Sequence, residues 1–229
     1  MLASSVGRLA RNLRVHSLPA QLRIASVPHP HRTLSPRHPS ESLRRWATST
    51  TPHSTHTDPA ETEALSCLEQ GTQKLEEGDV AGAKALYKRS VQIKRDAGSL
   101  FNLGVTHYHL KEFDEAIEAW KESISLQPSS PDAHTNLASA YIMSPISRPD
   151  LALHHLHTAA TLSPEDPEIA FNLAAVLEAS GRLEEALTHY KKSKEFGVER
   201  AAVHIRNVSA KILGKRMKAA QDDQEKTSE

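Results

Sequence analysis

One cysteine, Cys67, in 229 residues excludes a disulfide framework and any cysteine-built zinc cluster, and points to a reducing compartment. No stretch reaches the 18 or more apolar residues that a membrane-spanning helix requires, so the expectation is a soluble or at most peripheral chain. Catalytic signatures are missing too. Gly214-Lys215-Arg216 lacks the upstream glycine and the Ser/Thr of a phosphate-binding loop, and neither G-x-S-x-G nor H-E-x-x-H occurs. No acid/base pair is identifiable by spacing. The chain is therefore expected to be no enzyme and to need no cofactor or metal. The histidines His154, His155 and His157 are read as the polar outer face of a helix whose buried side is Leu151, Ala152 and Leu156.

Net charge is missing as well, with 28 basic against 28 acidic residues, but the balance is made of two opposite parts. Residues 1–46 hold eight Arg, no Lys and the single acid Glu41, which leaves 20 basic and 27 acidic residues for 47–229. At about 100° per residue, Leu2, Val6, Leu9, Ala10 and Leu13 share one side of a helix and Arg8, Arg11 and Arg14 the other. A cationic amphipathic start, Arg-rich and nearly free of acids, without the apolar core of a secretory signal, predicts a mitochondrial transit peptide over 1–46. Arg45, Trp46 and Ala47 form the expected processing site, with the cut between Trp46 and Ala47. The polar, Pro-bearing stretch 47–58 is expected to be a disordered linker, and the destination to be the mitochondrial matrix or the matrix face of the inner membrane.

The remainder is a repeat. Phe101-Asn102-Leu103-Gly104, Thr135-Asn136-Leu137-Ala138 and Phe171-Asn172-Leu173-Ala174 follow one another at 34 and 36 residues. A second match trails each: Ala116 then Trp120, Ala152 then Leu156, Ala186 then Tyr190. An earlier copy shows Gly71, Ala83 and Tyr87. Spacings of i, i+3, i+4, i+7 (Leu100, Leu103, Gly104, His107; then Phe113, Ala116, Ile117, Trp120) predict two amphipathic helices per copy. Small residues fall where helices press together, and Leu103, Leu137, Leu173, Tyr87, Trp120 and Tyr190 are expected to fill the core. Asp58-Pro59, Ser130-Pro131 and Asp166-Pro167 each place a capping side chain before a proline suited to the first helical position, which predicts helix starts near 59, 131 and 167. The segment Ser144 to Asp150 lengthens copy three by two residues and reads as a stiff surface loop.

A 34-residue helix–turn–helix unit with Leu-Gly/Ala, a later Ala, an aromatic four residues on and a closing Pro resembles the tetratricopeptide repeat family. The resemblance implies an all-α, right-handed superhelical solenoid over 59–218, with repeats near 64–96, 97–130, 131–166 and 167–200, a capping helix at 201–218 and a disordered tail at 219–229. The family's early Trp is replaced by Cys67, Leu100, His134 and Ala170, and copy one has Gln70 in place of the usual Leu.

The resemblance also implies that one face of each first helix lines a concave, peptide-binding groove. Its candidate residues here are Phe101, Asn102, Val105, Tyr108 and His109, then Thr135, Asn136 and Ser139, then Phe171, Asn172 and Ala175. Asn102, Asn136 and Asn172 recur at one place although Asn is a mediocre helix former, and one amide can both donate to and accept from a peptide unit. Chaperone-adaptor members of the family clamp a C-terminal carboxylate with groove cations, whereas this chain has Leu68, Thr72, Asp132 and Asn136 at the corresponding places. The expected function is a non-enzymatic interaction scaffold that holds a mitochondrial client peptide or subunit, in respiratory-complex assembly or mitochondrial gene expression. Peripheral association with the inner membrane and self-association are compatible with it. The alternative is an organellar RNA-binding helical repeat, which the negative charge of 47–229 opposes, so no nucleic acid is expected.

Overall fold

The structure is a computed structural model and describes residues 58–227. The cationic segment, the site at Arg45, Trp46 and Ala47, and the linker up to residue 57 lie outside the described residues. Among the described residues the chain is built of nine α-helices and no strand: α1 Pro59–Glu76, α2 Val80–Ile93, α3 Ala97–His109, α4 Phe113–Leu126, α5 Pro131–Met143, α6 Pro149–Leu162, α7 Pro167–Ala179, α8 Leu183–Glu195 and α9 Ala201–Thr227. None of them is long and apolar enough to cross a membrane.

Helix starts fall where the capping side chains put them. Asp58 accepts from the Ala60 N–H, Asp166 from Glu168 and Ile169, and Ser130 from Ala133, each with proline in the first turn. Asp79 and Asp96 cap α2 and α3 in the same way. Orphaned N–H groups are thereby satisfied without a partner from outside the turn.

Within a repeat the two helices are joined by a tight turn with one left-handed residue: Gly78 (φ 84°), Lys111 (φ 62°) and Gly181 (φ 79°). In each, the N–H of the following residue reaches back to Lys74, His107 or Leu177, which closes the preceding helix. Copy three has no such residue and uses the longer loop instead. Arg148 ties that loop down, its N–H bonded to the Tyr141 carbonyl at 2.9 Å and its guanidinium 5.0 Å from the Tyr141 ring centre, while Ile146 at the tip stays exposed.

Consecutive helices pack along the whole array, and α3 also meets α5 directly, so the first helices line the inner side of the coil. The small residues are the pressure points, with Ala83, Ala116, Ala152 and Ala186 fully buried in the second helices and Ala138 and Ala174 in the first. Tyr87, Trp120, Leu156 and Tyr190 fill the space they leave. In the first two copies the rings face glycines: an added Cβ on Gly71 or Gly104 would stand 2.7 Å from Tyr87 or 2.6 Å from Trp120. A third device also recurs. Ser90, Ser123 and Ser193, late in the second helices, donate at 2.8 Å to the carbonyls of Ala64, Ala97 and Pro167 in the first helices of the same copies. Copy three has the buried Ala159 there instead.

The C-terminal end departs from expectation. α9 runs to Thr227 rather than ending near 218, so most of the expected disordered tail is helical. Ala219, Ala220, Gln221 and Lys226 are helix formers, and neither glycine nor proline follows Gly214 to stop the helix.

Candidate functional site on the inner wall

The inner wall is a row of four first helices, and the three asparagines sit on successive members of it. Asn102 and Asn172 are buried by their neighbours and Asn136 is half-buried. Among the described residues none of the three side chains has a hydrogen-bond partner, and none of their amide atoms is sealed from water. A buried amide shut off without a partner would cost about 1–3 kcal/mol, so these groups keep just enough opening to remain hydrated. The row presents unfilled donors and acceptors at intervals of one repeat.

Around Asn102 the expected residues converge. Val105 and Tyr108 are half-buried on the same face, and Tyr108 meets Phe113 edge-on at 5.4 Å and lies 5.8 Å from Trp120. Burial raises the Tyr108 hydroxyl pKa, so it stays a neutral donor. His109 is exposed at the end of α3, against the Tyr108 edge. Phe101 is mostly buried and floors a shallow hollow bounded by Gly98, Ser130 and Asp132. Thr135 and Ser139 turn their hydroxyls back to the carbonyls of Pro131 and Thr135 at 2.8 and 3.0 Å, so their protons are already engaged.

The last segment of the expected groove set is covered. Phe171 carries the Arg200 guanidinium 4.3 Å from its ring centre and His204 edge-on at 5.1 Å, and Ala175 is also buried. Arg200 in the loop before α9 and His204 in its first turn thus pack on Phe171. Glu178, next on α7, fixes that closure. It accepts from the Tyr190 hydroxyl at 2.9 Å and from Lys211, with His204 Nδ1 at 3.7 Å. Burial pushes the Glu178 carboxyl upward, but the nearby His204 and the hydrogen bonds from Lys211 and Tyr190 outweigh it and hold the carboxyl down at about 2.

Charge distinguishes the two walls. The first helices α1, α3, α5 and α7 contain seven carboxylates and one cation, Lys74, whereas the second helices α2, α4, α6 and α8 contain eight carboxylates and seven cations. Acidity is concentrated on the inner helices. The outer wall is nearly balanced.

One of the three clustered histidines is not on the polar outer face. His155 is half-buried, stacked on Tyr141 at 5.8 Å, with its Nδ1 2.9 Å from Nδ1 of His134. His134 Nε2–H donates to the Pro128 carbonyl at 3.1 Å, so its Nδ1 accepts and His155 Nδ1–H donates. Burial, then the nearby His134, His154 and Lys121, lower the His155 pKa to about 4. The His155 ring is neutral at pH 7. His134, at the place of the family's early Trp, and His155 are joined across 21 residues of sequence, which no local spacing could reveal. Among the described residues no three His, Cys, Asp or Glu side chains converge as a metal set.

Family models match in two places, a TPR repeat over residues 107–143 and a tetratricopeptide repeat region over 147–212. Residues 107–143 and 147–212 thus match tetratricopeptide repeats. The small glutamine-rich tetratricopeptide repeat-containing protein 2 of Mycosarcoma maydis is 34% identical over 85 residues, which is 37% of this chain and 24% of that relative. The match thus spans about a quarter of the relative's length. Among solved structures, MamA from Desulfovibrio magneticus RS-1 superposes with a TM-score of 0.61 at 17% identity, over 71% of this chain and 92% of MamA. YrrB, a TPR protein with an unusual peptide-binding site, gives a TM-score of 0.57 at 19% identity, over 64% of this chain and 76% of YrrB. At such identities the likeness establishes the fold alone: an all-α TPR solenoid.

Proposed function

We propose that this TPR solenoid is a scaffold or adaptor of mitochondria that holds a client peptide or subunit along its inner wall, in the assembly of a respiratory complex or in mitochondrial gene expression. The observation that carries the reading is the row of Asn102, Asn136 and Asn172, whose side-chain amides have no hydrogen-bond partner among the described residues and stay open to water. An extended guest lying across the first helices would offer each amide a peptide N–H and C=O in place of that water. Val105 and Tyr108 supply apolar contact beside Asn102. The net negative balance of residues 47–229 disfavours a phosphate backbone. That YrrB has a peptide-binding site within this fold supports the same reading.

The test compares proteins that co-purify with the tagged chain and with an Asn102→Ala, Asn136→Ala, Asn172→Ala variant whose circular dichroism is unchanged. Loss of one defined set of mitochondrial proteins from the variant is the expected result, and it names the client. Partners unchanged between the two would make the three amides structural and end the groove reading. The address is tested separately, by fusing residues 1–46 to a reporter. A reporter left in the cytosol would overturn the mitochondrial placement without touching the groove.

A further inference from the structure

Residues 201–221 hold five cations, Arg206, Lys211, Lys215, Arg216 and Lys218, and no carboxylate. Lys211 is bound to Glu178, whereas none of the other four has an ionic partner among the described residues. Lys84, Arg89, Lys94 and Arg95, by contrast, each reach a carboxylate elsewhere in the array. α9 also has an apolar side that packs on nothing. At about 100° per residue, Val203, Ala210, Leu213 and Met217 fall within an arc of about 80°, on the side away from the buried Ala201, Val208 and Ile212. Val203, Leu213 and Met217 are 48%, 60% and 57% exposed. Arg206 lies inside that arc, Arg216 and Lys218 stand on either side of Met217, and Asp222, Asp223 and Glu225 come only past the last member of the stripe. Every residue from 213 to 225 is exposed, so this part of the helix projects from the array. A helix of that length is marginal in water on its own, and a surface that receives it also stabilises it.

The interleaving of charge and apolar surface decides what fits. A protein helix laid along the stripe would have to bury Arg206 within its apolar seam. A nucleic acid would neutralise the cations and leave Leu213 and Met217 in water. The surface of an anionic bilayer takes both at once. Apolar side chains enter the acyl boundary, while Arg and Lys lie along their own stems and place their charges among the phosphates just above it. We propose that the stripe of α9 around Leu213 and Met217 is a docking surface for an anionic lipid bilayer, with Arg206, Arg216 and Lys218 on the headgroup phosphates. Each cation adds its own attraction to a negative leaflet, and that attraction fades within a Debye length, so docking is reversible and weakens with salt. The helix lies in the plane of the interface, since it is not apolar enough to span one.

Hydrogen exchange of the full chain, resolved by segment, reads the docking with vesicles of phosphatidylcholine alone and of phosphatidylcholine mixed equally with phosphatidylglycerol. Resolution by segment matters because residues 1–46 are themselves cationic and can bring the chain to a vesicle. The amides of 213–225 are expected to exchange about tenfold or more slowly on the anionic vesicles and to be unchanged by the neutral ones. Leu213→Glu with Met217→Glu, and separately Arg216→Glu with Lys218→Glu, abolish the slowing. Both pairs leave the circular dichroism and urea midpoint as they were, because all four side chains are exposed. No slowing at 213–225 on anionic vesicles, or equal slowing on neutral ones, overturns the proposal. Slowing that survives Leu213→Glu with Met217→Glu would mean charge attraction alone, as to a nucleic acid, and overturns the lipid surface. Slowing that survives the charge reversal overturns the phosphate contacts. None of these residues lies on the first helices that carry the three asparagines, so the outcome stands apart from the groove test.

Discussion

Lys111 holds a conformation that suits it poorly. Its φ of 62° lies in the left-handed region, where the equivalent turns of copies one and four have Gly78 and Gly181. A side chain there costs up to about 1 kcal/mol relative to glycine. Lys111→Gly is expected to raise stability by about that amount, read as a higher urea midpoint. Gly104 presents the opposite case. An added Cβ would stand 2.6 Å from Trp120 Nε1, and the ring cannot retreat freely because that nitrogen donates to the Phe101 carbonyl at 3.0 Å. Gly104→Ala should cost about 1–3 kcal/mol by overpacking, with a blue- or red-shifted Trp120 emission that reports the displaced ring. Ala138 and Ala174 occupy the same place in later copies.

At the scale of the element, the attachment of α9 rests on a carboxylate. The Glu178 carboxyl is held at about 2 in the folded chain, below its ordinary value near 4.5. A depressed carboxylate stabilises the fold fully above the unfolded value and loses that contribution as pH falls through the folded one. The shift corresponds to about 3 kcal/mol. Glu178→Gln is accordingly expected to be less stable at pH 7, and the gap between variant and wild type to close as pH falls from about 4.5 to about 2 in parallel urea titrations. A gap independent of pH would place the contribution in shape rather than charge. The same element shows where sequence reading stops. The starts of α1, α5 and α7 are written as Asp-Pro or Ser-Pro, a local signal, and the Asn and Ala positions recur because each copy solves the same packing problem. α9 has no copy to compare with, so neither its length nor its cover over Phe171 could be read. Arg200 and His204 meet Phe171 through the fold alone. The serines Ser90, Ser123 and Ser193 were legible in principle, since each lies 26 residues after its acceptor, but a polar residue in an apolar stripe reads as a gap until its partner is known.

For the whole molecule, stability is a sum over neighbours, because the principal packing joins each helix to the next. The terminal helix then matters more than its few buried residues indicate. Removing residues 200–229 would strip the cover from Phe171 and leave Tyr190 without the stacked His204 ring at 4.8 Å. The truncated chain is expected to bind the dye ANS and to unfold over a broader range of urea, starting from the copy-four end. Hydrogen exchange should show amide protection falling first in α7 and α8 and last in α4 and α5. Uniform loss of protection would mean that the array behaves as one cooperative block.

The chain of short connections between partners that follow one another in sequence has a consequence for biosynthesis. A hairpin of helices can close as soon as its second member has emerged, without waiting for residues still inside a ribosome or a translocation pore. Each finished hairpin then offers the next a template, and the order of emergence becomes the order of assembly. The final pair emerges with its apolar corner open, and it stays so until α9, a single helix rather than a hairpin, arrives to cover Phe171. The interval between the release of α8 and the docking of α9 is thus the moment at which a newly made molecule is most exposed to capture by chaperones or by its own kind.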